Sequence, residues 1–414
     1  MLTKLKEFKQ LDKSILNLTI VEFFVQLINV SFIAILPLYM KKEHFSDAQY
    51  AHFTSYRYLG MLALALFVGM YIKGRRILPL FYIAAAGVPL FTLLIIMGVY
   101  IHSSALVLIS HLLWGTAYTF IQIPILPYIL RNAPKEQHTL AITLKFGTWS
   151  IASIFSGLFI SIFNGIDKNI FSERNLLLSI ATIGFSTVYF ILKVNKEENI
   201  PPNNSRKANL KDYDWKIIAR ALIPTTIIAI GAGFTIPFMS LFFSNVHHMN
   251  TSTYSFLTFL SAIIVTIAAV YVPSIKAKYG YLKAIPTTQS IAICALIILA
   301  TTQYYADLSF AVTIAATFFV LRQPFMSAAV PMTSEVTMKY VGPRNREMVS
   351  ALTSSIWSGS AYFSAVGFGI LRHLNVNYVN IFLITAATYI LGVTMYYYLL
   401  VDFYKKEKMG LITD

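Results

Sequence analysis

One acidic residue of this sequence lies well inside a long apolar run. Glu22 comes about seven residues after the start of the run near 15–40, or roughly 10 Å at the rise of an α-helix. Gln26 and Asn29 follow at i+4 and i+7, so the three polar side chains share one helical face. Because a charged carboxylate is costly in hydrocarbon, such a group normally faces a partner or a water-filled cavity. The stripe therefore predicts a functional surface that lines a cavity.

A basic residue in another apolar run offers a partner for this carboxyl. Lys145 lies about six residues inside the run near 139–163, at a depth similar to that of Glu22. A carboxylate whose cationic partner moves away can bind a proton, and it can release the proton when the partner returns. We therefore predict proton coupling at Glu22 and Lys145. The alternatives are a static ion pair that fixes helix packing and direct contact with a solute.

Arg322 is a second charge inside an apolar run, and it directly precedes Gln323 and Pro324. The proline removes a backbone donor and can bend a helix at this point. A guanidinium keeps its proton, so it needs an acid, carbonyl oxygens or an anionic ligand beside it. We predict recognition of an anion at Arg322. The alternative is a packing role against backbone carbonyls or Glu335.

Several further side chains are placed to contact a solute. Tyr118 and Gln122 share a helical face with His111, which lies near the end of its run, where a histidine without a role is the more common case. Trp149 and Trp357 can stack on a ring-containing solute or fill space. The predicted solute contacts are Gln26, Asn29, Tyr118, Gln122, Trp149, Arg322, Gln323 and Trp357.

Glycine and proline interrupt the first apolar run of the second half. The segment G-A-G-F-T-I-P contains Gly231, Gly233 and Pro237. This combination marks a break or a bend, the usual form of a gating helix, and close helix packing through small residues is the alternative. Arg57, five residues into its run, is near enough to the outer surface to snorkel, and we assign it a gating or structural role.

The whole chain is too apolar for a soluble fold. Hydrophobic residues make up 57% of its 414 residues and charged residues 12%, about half the share usual in soluble domains. An integral membrane protein in contact with lipid is therefore expected. The net charge of +15 falls in short clusters between apolar runs, which disfavours a nucleic-acid partner. The single Cys294 and the unsupported pair His247-His248 predict no disulfide, metal site or cofactor.

Twelve apolar runs approach or exceed the length of about 20 residues that a spanning helix needs. The stretch 193–216 contains Pro201-Pro202 and is too polar to order itself, so it reads as a linker. We expect a six-helix bundle over 1–192 and a second over 217–414. The twelve runs lie near residues 15–40, 52–72, 77–101, 105–130, 139–163, 174–192, 217–243, 252–272, 284–302, 308–338, 347–371 and 378–401.

The distribution of basic residues predicts the orientation. If each run crosses once, most of the 33 Lys and Arg residues fall on the same side as the N-terminus. Cytoplasmic loops are enriched in Lys and Arg, so both termini are expected in the cytoplasm, in a bacterial-type inner membrane. The first run is too long for a cleaved signal and no small-residue cleavage site follows it.

Six spans, a polar linker and six spans resemble the major facilitator superfamily over the whole chain. The segment G-M-Y-I-K-G-R-R (Gly69 to Arg76) is similar to the family's G-x-x-x-D-R-x-G-R-R loop but lacks the acid. P-R-N-R-E-M-V-S-A-L-T-S-S (Pro343 to Ser355) resembles the run that opens helix eleven in many members. The resemblance implies that helices one and five are neighbours, which would allow a pair between Glu22 and Lys145. The fifth run lacks the G-P-x-x-G-G of drug–proton antiporters.

The sequence thus predicts an all-α membrane protein that carries a small organic, anionic solute by alternating access, coupled to protons, as a monomer. An exporter of a metabolite, a metal chelator or a lipid-like molecule is the first alternative. A receptor or scaffold without transport is the second. No nucleotide-binding G-x-x-x-x-G-K-S/T and no catalytic constellation is present, so neither an ATP-driven pump nor an enzyme is expected.

Overall fold

The computed structural model describes residues 12–72, 74–134, 137–194, 197–200 and 213–410. These described residues form helices and short connections, with no β-strand among them. Most of the predicted linker 193–216 lies outside the described ranges. The chain separates into two compact units, the first drawn from Met1–Ser46 and Tyr56–Ser205 and the second from Asp47–Ser55 and Arg206–Asp414.

The first unit is built around one buried helix. Helix α1 packs on α6, α7 and α8, and most of its side chains are buried. Helix α2 begins in the second unit and belongs to the first from Tyr56 onward. The helices are α1 (Lys13–Lys42), α2 (Asp47–Tyr71), α3 (Leu78–Tyr100), α4 (Ser104–Gln122), α5 (Ile125–Asn132), α6 (His138–Ile166), α7 (Glu173–Gly184) and α8 (Ser186–Ile191).

The second unit is helical in the same way, and its helices pack mainly as α9 against α13 and α14 and α11 against α12 and α14. A short 3₁₀ segment, Ile236–Phe238, separates α9 from α10. The helices are α9 (Trp215–Thr235), α10 (Met239–Val246), α11 (Thr251–Thr301), α12 (Ala311–Val341), α13 (Arg346–His373) and α14 (Tyr378–Lys408).

Polar residues before the first turn fix where several helices begin. Asp12 caps α1, since its Oδ1 accepts from the backbone N–H of Ser14 at 2.8 Å and of Ile15 at 3.2 Å. Asp214 caps α9 and Asn250 caps α11 in the same manner. These side chains satisfy N–H groups that have no partner inside the helix.

Two predicted spans of the second unit lie in one helical stretch that is kinked between them. Within the described residues, ten helical segments are long and apolar enough to cross a membrane. Helix α11, with 51 residues, contains the predicted run 252–272 and all but the last residue of the run 284–302. At 1.5 Å per residue it would measure about 77 Å, more than twice the apolar thickness of a bilayer. Gly280 has φ 62° and ψ 176°, which divides α11 into two lengths, each suited to one crossing.

The predicted run 347–371 is also helical, but it is not among the ten apolar segments. It forms most of α13, whose 28 residues include several serines among small side chains. These serines lower the apolar character of the helix without shortening it. An all-helical membrane fold is therefore retained, although length and apolarity alone do not identify each of the twelve predicted spans.

Candidate functional site

The carboxyl of Glu22 lies fully inside the first unit. Its side chain has 0% exposure, so it contacts protein and not the outer surface of the unit. Its Oε1 accepts hydrogen bonds from Gln26 Nε2 and Gln122 Nε2, each at 2.8 Å. Its Oε2 is buried and has no hydrogen-bond partner in the described part of the chain. Helices α1 and α4 thus place a carboxyl with one bound oxygen and one open oxygen in the interior.

A chain of two amides joins this carboxyl to an arginine. Asn29 Nδ2 donates to Gln26 Oε1 at 3.1 Å, and Arg57 Nη2 donates to Asn29 Oδ1. Arg57 can only donate, so it fixes the Asn29 oxygen toward itself and the Asn29 nitrogen toward Gln26. Gln26 is oriented in turn, with its nitrogen toward Glu22. Every bond in the chain therefore runs from the guanidinium toward the carboxyl.

The hydroxyl of Tyr118 lies beside the middle of this chain. It accepts from Gln26 Nε2 and from Asn29 Nδ2, each at 3.2 Å. The structure thus gathers five predicted residues from two helices into one polar cluster. We call this set, with Arg57 from α2, the Glu22 network: Glu22, Gln26, Asn29, Tyr118, Gln122 and Arg57.

The position of Arg57 is the part of the site that sequence reasoning missed. Snorkelling to the outer surface was the expectation, whereas Arg57 is only 5% exposed. Its guanidinium lies 4.0 Å from the centre of the Trp114 ring, and its Nε has no hydrogen-bond partner. Trp114 is held by a bond from its Nε1 to Thr92 Oγ1 at 2.9 Å and stacks on Tyr118 at 5.0 Å.

Close contact between α2 and α4 explains this burial. A Cβ added at Gly115 would overlap the backbone carbonyl of Arg57, and one added at Gly60 would overlap the carbonyl of Leu112. Only glycine allows the two backbones to approach so closely. The small residues at these two positions were the available sequence signal for the placement of Arg57.

The predicted pair between Glu22 and Lys145 is not formed in this structure. Helices α1 and α6 do pack together, as the resemblance implied. However, Glu22 faces α4 through Gln122, while Lys145 Nζ lies 4.6 Å from the centre of the Phe146 ring. Within the described residues no acid forms an ion pair with Lys145. The side-chain amides of Gln26 and Gln122 donate to Glu22 Oε1, where the Lys145 ammonium was expected.

Trp149 and His111 are two further residues of the first unit that the sequence singled out. Trp149 is 44% exposed. His111, expected near an interface, is instead buried, and its Nδ1 lies 2.9 Å from the backbone oxygen of Val107. Neither residue hydrogen-bonds to Glu22 in the structure.

In the second unit Arg322 is buried to 1% exposure. Its Nη2 donates to the hydroxyl of Tyr389 at 3.3 Å, and its Nε has no partner. Glu335 was the acid considered for it, but Glu335 binds Lys276 Nζ at 2.7 Å. The alternative of a packing pair between Arg322 and Glu335 is therefore wrong for this structure.

A cavity of about 220 Å³ lies beside Tyr389 in the same unit. Gln323 and Trp357, both predicted solute contacts, line its wall, and Trp357 is 42% exposed. The wall also carries Gln289, whose buried Oε1 has no hydrogen-bond partner. Sequence reasoning did not select Gln289 or Tyr389, because neither is charged nor part of a motif. The cavity combines one open acceptor with aromatic walls, and Arg322, which is not a lining residue, adjoins it through the hydrogen bond to Tyr389.

The predicted gating segment contains a real interruption of the helix. α9 ends at Thr235, and Pro237 lies in the 3₁₀ segment before α10. A Cβ at Gly231 would overlap Thr388, and one at Gly233 would lie 2.6 Å from Ser364 Cβ. Both glycines therefore permit close helix packing, which was the alternative to gating. A role of this segment in gating stays a prediction.

The described residues contain no group of three or more His, Cys, Asp or Glu that could hold a metal ion. His247 Nε2 lies 2.9 Å from Thr302 Oγ1. Burial, and then repulsion by the neighbouring His248, lowers the pKa of the His247 imidazole. This histidine is accordingly neutral near pH 7 and bound to a hydroxyl.

Comparison with known proteins identifies the family. The model of the Major Facilitator Superfamily matches residues 18–365. The crystal structure of the D-xylose-proton symporter is similar with a TM-score of 0.74 at 11% identity, covering 92% of this chain and 96% of that one. The nucleoside transporter NupG gives a TM-score of 0.69 at 14% identity, with 94% and 99% covered.

An auto-inhibited POT family peptide transporter gives a TM-score of 0.68 at 11% identity, with 93% of this chain and 96% of that chain covered. No curated protein sequence matches the chain. At such identities the structural likeness shows the fold, and the match over residues 18–365 shows the family. The chain belongs to the Major Facilitator Superfamily and is one of its secondary transporters, not an enzyme.

Proposed function

We propose that the chain moves a small organic, anionic solute across the membrane by alternating access, with a proton as the coupling ion. The observation that carries the proposal is the buried carboxyl of Glu22, which has one oxygen free of hydrogen bonds inside a protein unit. Such a group is normally tolerated only where it serves a proton, an ion or a substrate. Membership of the family supports transport of a solute, and Glu22 supports its coupling to a proton.

The geometry of the Glu22 network supports proton coupling. Two amide donors hold Oε1 of Glu22, and Arg57 orients the amide chain from its far end. Among the described residues Oε2 has no hydrogen-bond partner, so a proton can be added there without breaking a bond of the network. We keep Lys145 in the proposal as a cation that approaches Glu22 in another step of the cycle.

The anionic character of the solute rests on Arg322. Among the described residues its buried guanidinium has a phenol for a partner and no acid, and its Nε has no hydrogen-bond partner. A guanidinium in this setting gains most from an anion. In the proposal Gln323 and Trp357 in the second unit contact the solute, and Gln26, Asn29, Tyr118, Gln122 and Trp149 do so in the first. Arg57, Gly231, Gly233 and Pro237 take part in gating.

The proposed setting is a bacterial-type inner membrane with both termini in the cytoplasm. Its support is the basic character of the segments on the side of the N-terminus. The proposal describes one chain that works as a monomer.

A library of metabolites tested by thermal shift identifies the solute, because a ligand that binds only the folded state raises the melting temperature. The solute that is found is then added to the buffer outside proteoliposomes, with and without an imposed pH gradient. We expect anionic solutes to stabilise the protein and the pH gradient to drive accumulation. Binding without any movement of the solute would favour a receptor. Movement that does not respond to the pH gradient would favour an exporter driven by the solute's own concentration gradient.

A further inference from the structure

A groove of about 470 Å³ runs along the surface of the second unit between α9 and α14. It lies apart from the cavity beside Tyr389 and shares no lining residue with it. We propose that this groove binds an anionic phospholipid, with the headgroup at its basic end and an acyl chain along its apolar end. The inference does not depend on the proposed transport function.

The basic end is formed by two side chains on one face of α9. Lys216 and Arg220 are one helical turn apart and both line the groove. The Arg220 side chain is 54% exposed, and Lys216 is exposed as well. No carboxylate of the described part of the chain forms an ion pair with Lys216. Two cationic groups therefore present free N–H donors at the same end of the groove.

One acid also lies at this end, and its charge is already compensated. Asp402 Oδ2 accepts from the Tyr340 hydroxyl at 2.5 Å and forms ion pairs with Arg220 and Lys406, each at 3.3 Å. With Lys216, Arg220 and Lys406 near a single acid, the local charge is positive. An anionic headgroup matches this end, and a neutral or cationic one does not.

The other end of the groove is apolar. Ile223 follows Arg220 by one turn and is 48% exposed, while Met395 and Tyr398 on α14 are 37% and 65% exposed. Helix α9 runs away from its basic residues, and α14 runs toward Asp402. Both helices thus place apolar side chains at the same end, and the groove changes from charged to apolar along its length.

A basic end followed by an apolar end matches the headgroup and the acyl chain of an anionic phospholipid. Both α9 and α14 belong to segments long and apolar enough to cross a membrane. Lys216 and Arg220 stand in the first turns of α9, where headgroup phosphates lie, and Trp215 beside them is 44% exposed, as is typical of interfacial aromatics. Basic pockets between helices at this depth suit anionic headgroups. A free phosphate would use only the basic end and leave the apolar wall unfilled.

The test measures binding of phosphatidylglycerol to delipidated protein in detergent, by native mass spectrometry and thermal shift. Phosphatidylcholine and inorganic phosphate serve as the comparison probes. We expect phosphatidylglycerol to be retained and to raise the melting temperature more than either probe. Removal of each groove charge, by Lys216→Gln and then Arg220→Gln, should weaken binding roughly fivefold.

One control variant keeps the result specific. Lys278→Gln removes an exposed lysine of the same unit outside the groove. It should bind phosphatidylglycerol as the wild type does. Lys216→Gln alone leaves the pair between Arg220 and Asp402 intact, so it separates lipid binding from folding.

The proposal is overturned if phosphatidylglycerol and phosphatidylcholine bind equally, or if Lys278→Gln loses as much affinity as Lys216→Gln. Equal stabilisation by inorganic phosphate alone would also overturn it, since the site would then be a plain anion site.

Discussion

Two buried charges of the first unit, Glu22 and Arg57, are linked by side-chain amides and not by direct contact. The order of donors and acceptors is imposed by the arginine at one end and the carboxyl at the other. Amide dipoles aligned in this way carry part of the stabilisation of one charge to the other. Arg57 is therefore the cation that hydrogen bonds link to Glu22 in this structure, where Lys145 had been predicted.

The variant Arg57→Gln tests this link. It removes the guanidinium that orients Asn29 and, through Asn29, turns Gln26 toward Glu22. We expect solute accumulation driven by a pH gradient in proteoliposomes to fall by about tenfold, the loss that corresponds to one charge-assisted hydrogen bond. Arg57→Lys keeps the charge and a donor and should lose less. Wild-type accumulation by Arg57→Gln would show that the arginine does not support the network.

Arg322 supports a second prediction, about binding of the solute. Charge-assisted hydrogen bonds contribute about 1.5–3 kcal/mol each, so Arg322→Gln should weaken the binding of an anionic solute by at least about tenfold. Isothermal titration with the solute from the thermal-shift screen measures the loss. The control is Lys278→Gln, which removes an exposed basic residue that does not line the cavity. Wild-type affinity in Arg322→Gln would leave Arg322 with a packing role only.

At this scale the sequence predicted contacts within a helix better than contacts between helices. The spacing of Glu22, Gln26 and Asn29 fixed their common face, and the structure joins them by hydrogen bonds. The depth of Arg57 in its run was also readable. Its partner was not, because that depends on how close α2 comes to α4, a property of packing and not of periodicity.

At the scale of helices, the contact of α2 with α4 positions Arg57 against Trp114. Gly60 and Gly115 lie where a side chain would meet the carbonyl of the other helix. The structure therefore makes these two glycines a requirement of the site, although neither touches Glu22.

The variant Gly115→Ala should separate the two helices. Its Cβ would overlap the backbone of Arg57, and a backbone clash cannot be relieved by a side-chain rotation. We expect a loss of about 1–3 kcal/mol in stability, seen as a lower melting temperature. Gly69→Ala is the matched control on α2, since a Cβ there meets nothing within 4 Å. A Gly115→Ala protein as stable as Gly69→Ala would contradict the close contact.

The element boundaries were predictable where a capping residue or a proline marks them. Asp214 and Pro237 bracket α9 and the turn that follows it. The junction inside α11 was marked as well, since Pro273 and Gly280 lie between the two predicted runs. The point of the kink was not predictable, because Pro273 stays helical and Gly280 changes the backbone direction through a conformation that other residues rarely adopt.

At the scale of the whole molecule, composition and the spacing of apolar runs predicted a helical membrane protein, and the resemblance to the major facilitator superfamily is confirmed by the match over residues 18–365. Hydrocarbon accepts few structures other than helices, so apolar runs of this length leave little freedom in the fold. The identity of the solute was not predictable in this way. The cavity that we propose for it is lined by uncharged residues such as Gln289 and Tyr389, which leave no pattern in the sequence.

The central claim is that the buried carboxyl of Glu22 couples transport to a proton. The measurement is accumulation of the identified solute in proteoliposomes under an imposed pH gradient, for the wild type, Glu22→Gln and the control Glu173→Gln. Glu173 is another buried acid, 1% exposed, but it is paired with Lys42 outside the network. We predict that Glu22→Gln still exchanges solute but loses accumulation driven by the gradient, whereas Glu173→Gln keeps it. Accumulation by Glu22→Gln at the wild-type rate, with unchanged pH dependence, would contradict the account.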